Sequence, residues 1–376
     1  MQYRRFGKTN LFLSIFSLGT MRYLTTPKNA HNTINAMISH GINHLETARG
    51  YGQSEEFLGR AVAAGLPIPR SQLYITTKIP PTADADTMNR YIDESLARLN
   101  VDYVDCLGIH GINTWEHLKL IKDPNGCMQA VWKAIDDGRV KHIGFSTHAP
   151  LEVILATINT GLFEFVNLHY YYFFQRNAPA VELAYQREMG VFIISPGDKG
   201  GRLYTPPPTL VKLCRPFSPL ELNYRFLLSD SRITTLSVGA GSPDELITPL
   251  QTSDSIHPLT EEEKRVFHTL ADHSYQALGH SQCSQCYECL PCPENINIPE
   301  ILRLRNLTIS YNMKNYGEYR YGMLENSGHW FPGMKGNRCT ECGDCLPRCP
   351  ENLDIPSLLQ DTHARLQGKA GRRLWG

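Results

Sequence analysis

Residues 283–293 read CSQCYECLPCP, and residues 339–350 read CTECGDCLPRCP. Eight of the chain's 11 cysteines fall in these two runs: Cys283, Cys286, Cys289 and Cys292, then Cys339, Cys342, Cys345 and Cys349. A two-residue gap between thiolates lets a tight loop wrap round a shared metal centre. Three chemistries compete for such spacing. Zinc sites with four thiolates use paired CxxC elements, but need neither a third and fourth cysteine in step nor a proline after the last one in both runs. Disulfide frameworks belong to small secreted domains. This chain has 376 residues, and its opening, MQYRRFGKTN, lacks an apolar signal core. Iron–sulfur is the reading that the spacing favours.

The double run resembles the bacterial two-cluster ferredoxins. There, three cysteines of one run bind one cluster, and the fourth, before proline, binds the other. The resemblance implies one 4Fe–4S cluster on Cys283, Cys286, Cys289 and Cys349, and a second on Cys339, Cys342, Cys345 and Cys292. The first run has two residues before its last cysteine where the pattern has three. That departure bears on loop geometry more than on the ligand set.

Lys+Arg and Asp+Glu both number 37, so the formal charge is zero. Such a balance does not point to nucleic acid or an anionic membrane surface. No run of 18 apolar residues occurs, and no membrane span is expected. A cytoplasmic protein is expected, and oxygen-sensitive clusters agree with a reducing compartment.

Upstream of the cysteines the chain has a rhythm. A hairpin is expected over 2–14, turning at 7–10. Short β-branched or aromatic runs then recur at 15–21, 42–48, 73–79, 103–110, 142–147, 165–171, 191–195 and 234–239. Several are apolar throughout, as strands buried on both faces are. Amphipathic stretches at 30–40, 54–64, 86–99, 128–137, 151–159, 178–189, 219–229 and 243–250 read as helices. Eight strand–helix units predict an α/β fold, a (β/α)8 TIM barrel. The competing doubly wound sheet lacks support, because no G-x-G-x-x-G follows the first strand. The proline-rich stretch 205–219 reads as a loop inserted after the seventh barrel strand. A helix over 260–278 leads out of the barrel. Between the cysteine runs, 299–305 looks helical and 306–338 is rich in Tyr, Asn and Gly. The basic tail after Gln367 reads as frayed. No repeat beyond the strand–helix period is apparent. The expected domains are a barrel over 1–258, a connecting helix over 259–280 and a small iron–sulfur domain over 281–376.

Catalytic groups of such barrels stand where strands end. Tyr51 follows the second strand, Lys78 ends the third, His110 ends the fourth, and Glu46 lies near the end of the second. Each alone has an ordinary structural reading. Together they form a proton-donor set. A phenol has a pKa of about 10, too high to act readily near neutrality. A nearby ammonium favours the phenolate. A carboxylate would hold that lysine, and a histidine could hydrogen-bond a substrate oxygen.

These residues sit in blocks that resemble the aldo-keto reductases: SLGTM (17–21), INHLETARGYGQSEEFLG (42–59), TTK (76–78), LGIH (107–110), GFS (144–146) and ISPGDKGG (194–201). More narrowly, the whole chain resembles the branch with a C-terminal ferredoxin-like iron–sulfur domain. The resemblance implies an oxidoreductase that reduces a small aldehyde or ketone with NADP or NAD. It matches Tyr51, Lys78 and His110 to three of the family's four catalytic positions. Glu46 stands where the family has Asp, with the charge kept and one methylene added. The resemblance also places Gly19, Thr20, Ser146, Asn167, Ser195, Gly239 and Ser242 at the nicotinamide cofactor. VGAGSPDEL (238–246) matches the turn near the phosphates. The basic residues that many members use on the 2′-phosphate are missing there, and Asp244 and Glu245 occupy the neighbourhood. A nicotinamide gives up two electrons as hydride whereas a cluster takes one, and no flavin fingerprint bridges them. The clusters would then be a structural staple, a relay, or a docking site for a redox protein partner. The alternative reading is an electron-transfer module on a non-catalytic barrel. Cys106, Cys127 and Cys214 read as ordinary buried or loop cysteines.

Overall fold

The computed structural model describes residues 1–22, 26–254 and 256–368. The basic end of the chain, 369–376, lies outside them. Two compact units are present. The first comprises Met1–Gly200 and Asn223–Pro258; the second comprises Gly201–Leu222 and the chain from Leu259 onward.

The first unit begins with an antiparallel hairpin, β1 (Tyr3–Arg5) and β2 (Phe12–Ser14). Eight parallel strands then close a barrel in the order β10-β3-β4-β5-β6-β7-β8-β9. They are β3 (Phe16–Gly19), β4 (His44–Glu46), β5 (Tyr74–Ile79), β6 (Val104–His110), β7 (Val140–Ser146), β8 (Phe165–Leu168), β9 (Gly190–Ile193) and β10 (Thr235–Val238). The eight expected strands are all there; most are shorter than expected, while β7 and β9 start earlier, at Val140 and Gly190. Phe6 and Leu13 of the hairpin pack on Cys106, Phe165 and Phe192 inside the barrel. That apolar plug leaves the opposite end, where the strands finish, for chemistry.

The helices of this unit are α1 (Pro27–Ser39), α2 (Ser54–Ala63), α3 (Ala85–Leu99), α4 (Trp115–Lys122), α5 (Met128–Asp136), α6 (Leu151–Asn159) and α7 (Ala178–Gln186). Their ends follow capping chemistry. Thr26 accepts from Asn29 N at 3.1 Å and starts α1; Asp84 accepts from Thr87 N at 2.7 Å and starts α3. Asn100 ends α3 in the left-handed region, φ 53°. Helix α4 was not expected; it lies in a segment that reads as loop, started by the Thr114 cap at 3.2 Å from His117 N.

Helix α8 (Pro208–Cys214) lies within the proline-rich stretch that reads as a loop. Proline is tolerated at a helix start because that N–H has no intrahelical partner anyway. Helix α9 (Pro219–Leu228) crosses from the second unit back into the first, and α10 (Ile247–Gln251) follows β10.

The second unit is helical: α11 (Glu261–Leu278), α12 (Ile298–Tyr311), α13 (Lys314–Met323) and α14 (Ile355–Leu366). A capping box of Thr260 and Glu263 starts α11. Buried Arg303 and Glu300 pair at 2.6 Å within α12.

The structure corrects the expectation of no further repeat. CPENINIP (292–299) and CPENLDIP (349–356) are two copies of one unit, each leading into a helix, α12 and α14. The copies share left-handed backbone at Gln285 and Glu341 (φ 63° and 57°), Tyr287 and Gly343 (68° and 82°), and Asn295 and Asn352 (54° and 51°). No helix among the described residues is long and apolar enough to cross a membrane.

Candidate active site and cysteine cavities

Side chains two residues apart on a strand share a face. His44 and Glu46 on β4, and Thr76 and Lys78 on β5, therefore stack in two tiers inside the barrel. The lower tier is a closed polar network. Ser17 Oγ lies 2.7 Å from His44 Nδ1 and 2.7 Å from Thr235 Oγ1, and His44 Nε2 lies 2.7 Å from Thr76 Oγ1. Burial and then the Lys78 charge push the His44 pKa down to about 3, so the ring is neutral.

The upper tier holds the four candidate catalytic residues together. Glu46 and Lys78 form a buried ion pair, with side chains 4% and 2% exposed. Lys78 Nζ also donates to Thr47 O at 2.8 Å. Burial drives the Lys78 pKa well below the usual ammonium range. The ammonium lies 4.8 Å from the centre of the Tyr51 ring. Tyr51 meets His110 edge to face, centroids 5.6 Å apart. Gly108, the register partner of Lys78, makes room for its stem.

The candidate cofactor residues fall in two groups. His110 is the register partner of Ser146, and Ser146 of Asn167, so these three cross β6, β7 and β8 in one row. Ser146 Oγ accepts from Gly111 N at 3.1 Å. Both side-chain polar atoms of Asn167 are buried and have no hydrogen-bond partner among the described residues. Gly19 is the register partner of Glu46. Thr20 is committed to the scaffold: its hydroxyl donates to Glu46 O at 3.0 Å and accepts from Ser54 Oγ at 2.7 Å. Ser195 stands just past β9 with φ 54°.

Gly239 and Ser242 belong to the turn after β10, and there the sequence reading needs correction. A basic residue does stand at this turn: Arg22, from the segment after β3. It donates to Gly239 O at 3.0 Å and pairs with Glu245. Glu245 in turn accepts from Gly241 N at 3.1 Å. Sequence reasoning also missed a chain of side chains after β7 and β8. His148 and His169 meet edge to face with centroids 4.3 Å apart, and His169 Nδ1 lies 2.5 Å from Tyr171 OH.

In the second unit the eight cysteines of the two runs divide between two cavities. Cys283, Cys286, Cys289 and Cys349 line one. Cys292, Cys339, Cys342 and Cys345 line the other. The crossing survives the shorter first run, because the extra residue of the second run is Arg348, whose Nη2 donates to Pro291 O at 2.9 Å. Among the described residues no three His, Cys, Asp or Glu side chains gather closely enough for a single metal ion. Four thiols round each cavity suit a larger body. Burial pushes the Cys283, Cys289 and Cys345 thiols up, Cys289 to about 12, so thiolates there call for a cationic partner.

Comparison with known proteins agrees with both halves. Residues 16–195 match the aldo/keto reductase family, and residues 282–353 match a 4Fe-4S dicluster domain. The barrel is an aldo/keto reductase domain. A 6-dehydroglucose reductase from Novosphingobium aromaticivorans is 30% identical over 161 residues, 38% of this chain and 51% of that protein. An L-galactose dehydrogenase from Arabidopsis thaliana is 28% identical over 210 residues, 52% of this chain and 64% of that protein. The chain thus spans roughly half or a little more of the curated relatives it matches. An aldo-keto reductase from Bacillus halodurans shares the fold, with TM-score 0.61 and 23% identity over 71% of this chain and 95% of that one.

Proposed function

We propose that the aldo/keto reductase domain reduces a small aldehyde or ketone. The observation that carries this reading is the buried Glu46–Lys78 pair beside Tyr51, with His110 across from it. The orphaned amide of Asn167 supports a nicotinamide site. A carboxamide offers one donor face and one acceptor face, which would relieve both buried atoms. The hydride for the carbonyl carbon would come from a reduced nicotinamide held at Ser146 and Asn167. The carbonyl oxygen, gaining the electron pair, takes a proton from the Tyr51 hydroxyl, while His110 donates a hydrogen bond to that oxygen. Lys78 stabilises the phenolate left on Tyr51. Its own lowered pKa brings it nearer the point of returning a proton to Tyr51, and before that transfer Glu46 balances the ammonium. The Glu245 carboxylate at the turn after β10 is paired with Arg22, so this turn does not by itself repel a 2′-phosphate, and NADPH and NADH both fit this reading.

The eight cysteines would hold two 4Fe–4S clusters, grouped as the two cavities group them. Such clusters exchange single electrons. A redox protein partner at the second unit is part of this reading.

The test is Tyr51→Phe in the cluster-loaded protein. Carbonyl reduction should fall at least about 10²-fold while the visible absorbance of the clusters is unchanged. Undiminished turnover would remove Tyr51, and with it this mechanism.

A further inference from the structure

The two cysteine cavities are built from a repeat, and the repeat is broken at one informative position. Gln285 and Glu341 occupy matched places, two residues after the first cysteine of each run, with the same left-handed backbone. Gln285 Nε2 donates to Cys283 Sγ at 3.2 Å and to Pro299 O at 3.0 Å. The Pro299 carbonyl fixes the amide's orientation, since only its nitrogen can face that oxygen. Gln285 Oε1 is left buried with no partner among the described residues. An orphaned acceptor costs stability, so what the amide provides is its N–H to the sulfur. Glu341 is exposed, accepts from Gln360 Nε2 at 2.6 Å, and has no side-chain N–H to give.

The charges lining the two cavities do not separate them. Glu294, Asp344 and Arg348 line one and Glu351 the other, one net negative charge each. The amide–thiolate hydrogen bond is what remains.

We propose that Gln285 and Glu341 make the two clusters electrically unequal, the one on Cys283 being the easier to reduce. One-electron reduction adds one negative charge to a cluster and its thiolates. A donor aimed at a ligating sulfur stabilises that added charge, and a carboxylate at the matched place opposes it. Gln285 acts through Cys283 and is a positioning residue. The inference rests on the ligand grouping given above.

The experiment is an anaerobic dithionite titration of the cluster-loaded full chain, followed by electron paramagnetic resonance. The unaltered protein should show two separate one-electron waves. Gln285→Leu should lower the higher wave and leave the other in place. The expected size is a tenfold drop in the reduced-to-oxidised ratio at fixed ambient potential, about 59 mV for a one-electron couple. Glu341→Gln writes the amide into the exposed matched site, where folding is least at risk, and should raise the lower wave. Coincident waves in the unaltered protein, or two loaded clusters that neither substitution shifts, would overturn the proposal and leave the ligand grouping standing. Absence of iron and sulfide after reconstitution would overturn the grouping itself, and the proposal with it.

Discussion

Lys78 and Gly108 are register partners on β5 and β6, and a Cβ on Gly108 would meet Lys78 Cγ at 2.9 Å. The glycine is therefore part of the lysine's position. Gly108→Ala should displace the ammonium from Tyr51 and lower kcat about 10²-fold, at a stability cost of about 1–3 kcal/mol. Steady-state kinetics beside urea unfolding separate the two effects. An unchanged kcat would mean that Lys78 works from a displaced position.

The Glu46–Lys78 pair should behave as a unit. Glu46→Gln leaves a buried ammonium without its counter-charge and should destabilise the barrel by about 3–5 kcal/mol. Adding Lys78→Met should recover part of that loss, because no charge is then left behind. A double-mutant cycle in urea at pH 7 measures the coupling; additive losses would contradict it. Glu46→Asp, with the family's residue, should keep the pair.

Asn167 offers the opposite trade. Asn167→Leu removes two buried polar atoms that lack partners, so the barrel should gain about 1 kcal/mol. Nicotinamide binding, followed by fluorescence titration, should weaken about tenfold. A stability loss with unchanged binding would assign Asn167 to the scaffold.

His44 sets an acid limit. Its pKa of about 3 in the native barrel lies below the unfolded value of 6.5. Between those values the unfolded chain takes up a proton that the native state refuses. Native stability therefore falls as pH drops through that window, by at most about 1.4 kcal/mol per unit, and is unaffected by this group above it. His44→Asn should lower stability at pH 7 through its lost hydrogen bonds, yet flatten the decline below pH 6.5. Urea midpoints at pH 7, 6, 5 and 4 give the comparison. Parallel declines would absolve His44.

The barrel was legible because its strands carry dense β-branched and aromatic runs, and because period two aligns Glu46 with His44 and Lys78 with Thr76. Arg22 was not legible. It reaches Gly239 from 217 positions away in the chain, and no local pattern announces such a contact. Helix α8 was hidden by prolines that act as breakers inside a helix but not at its start. Helix α13 reads as irregular because KNYGEYRYGM has weak helical preference; burial of Tyr316 and Tyr321 overrides that preference. The cysteine repeat was masked by Arg348, which puts its two halves out of step by one residue.

The path of the chain through the second unit has a consequence for how this protein could have arisen. Helix α8 packs against α11, with Leu210 and Cys214 buried, and both helices belong to that unit although most of the barrel's last strand–helix region lies between them in sequence. A gene fusion at one junction would have added only the later piece. The earlier piece lies in the loop between β9 and α9, upstream of any such junction. The iron–sulfur half is therefore interwoven rather than appended. A stop codon after Pro258 would not release an intact barrel protein, but one carrying a stranded helix with its apolar face laid open to water.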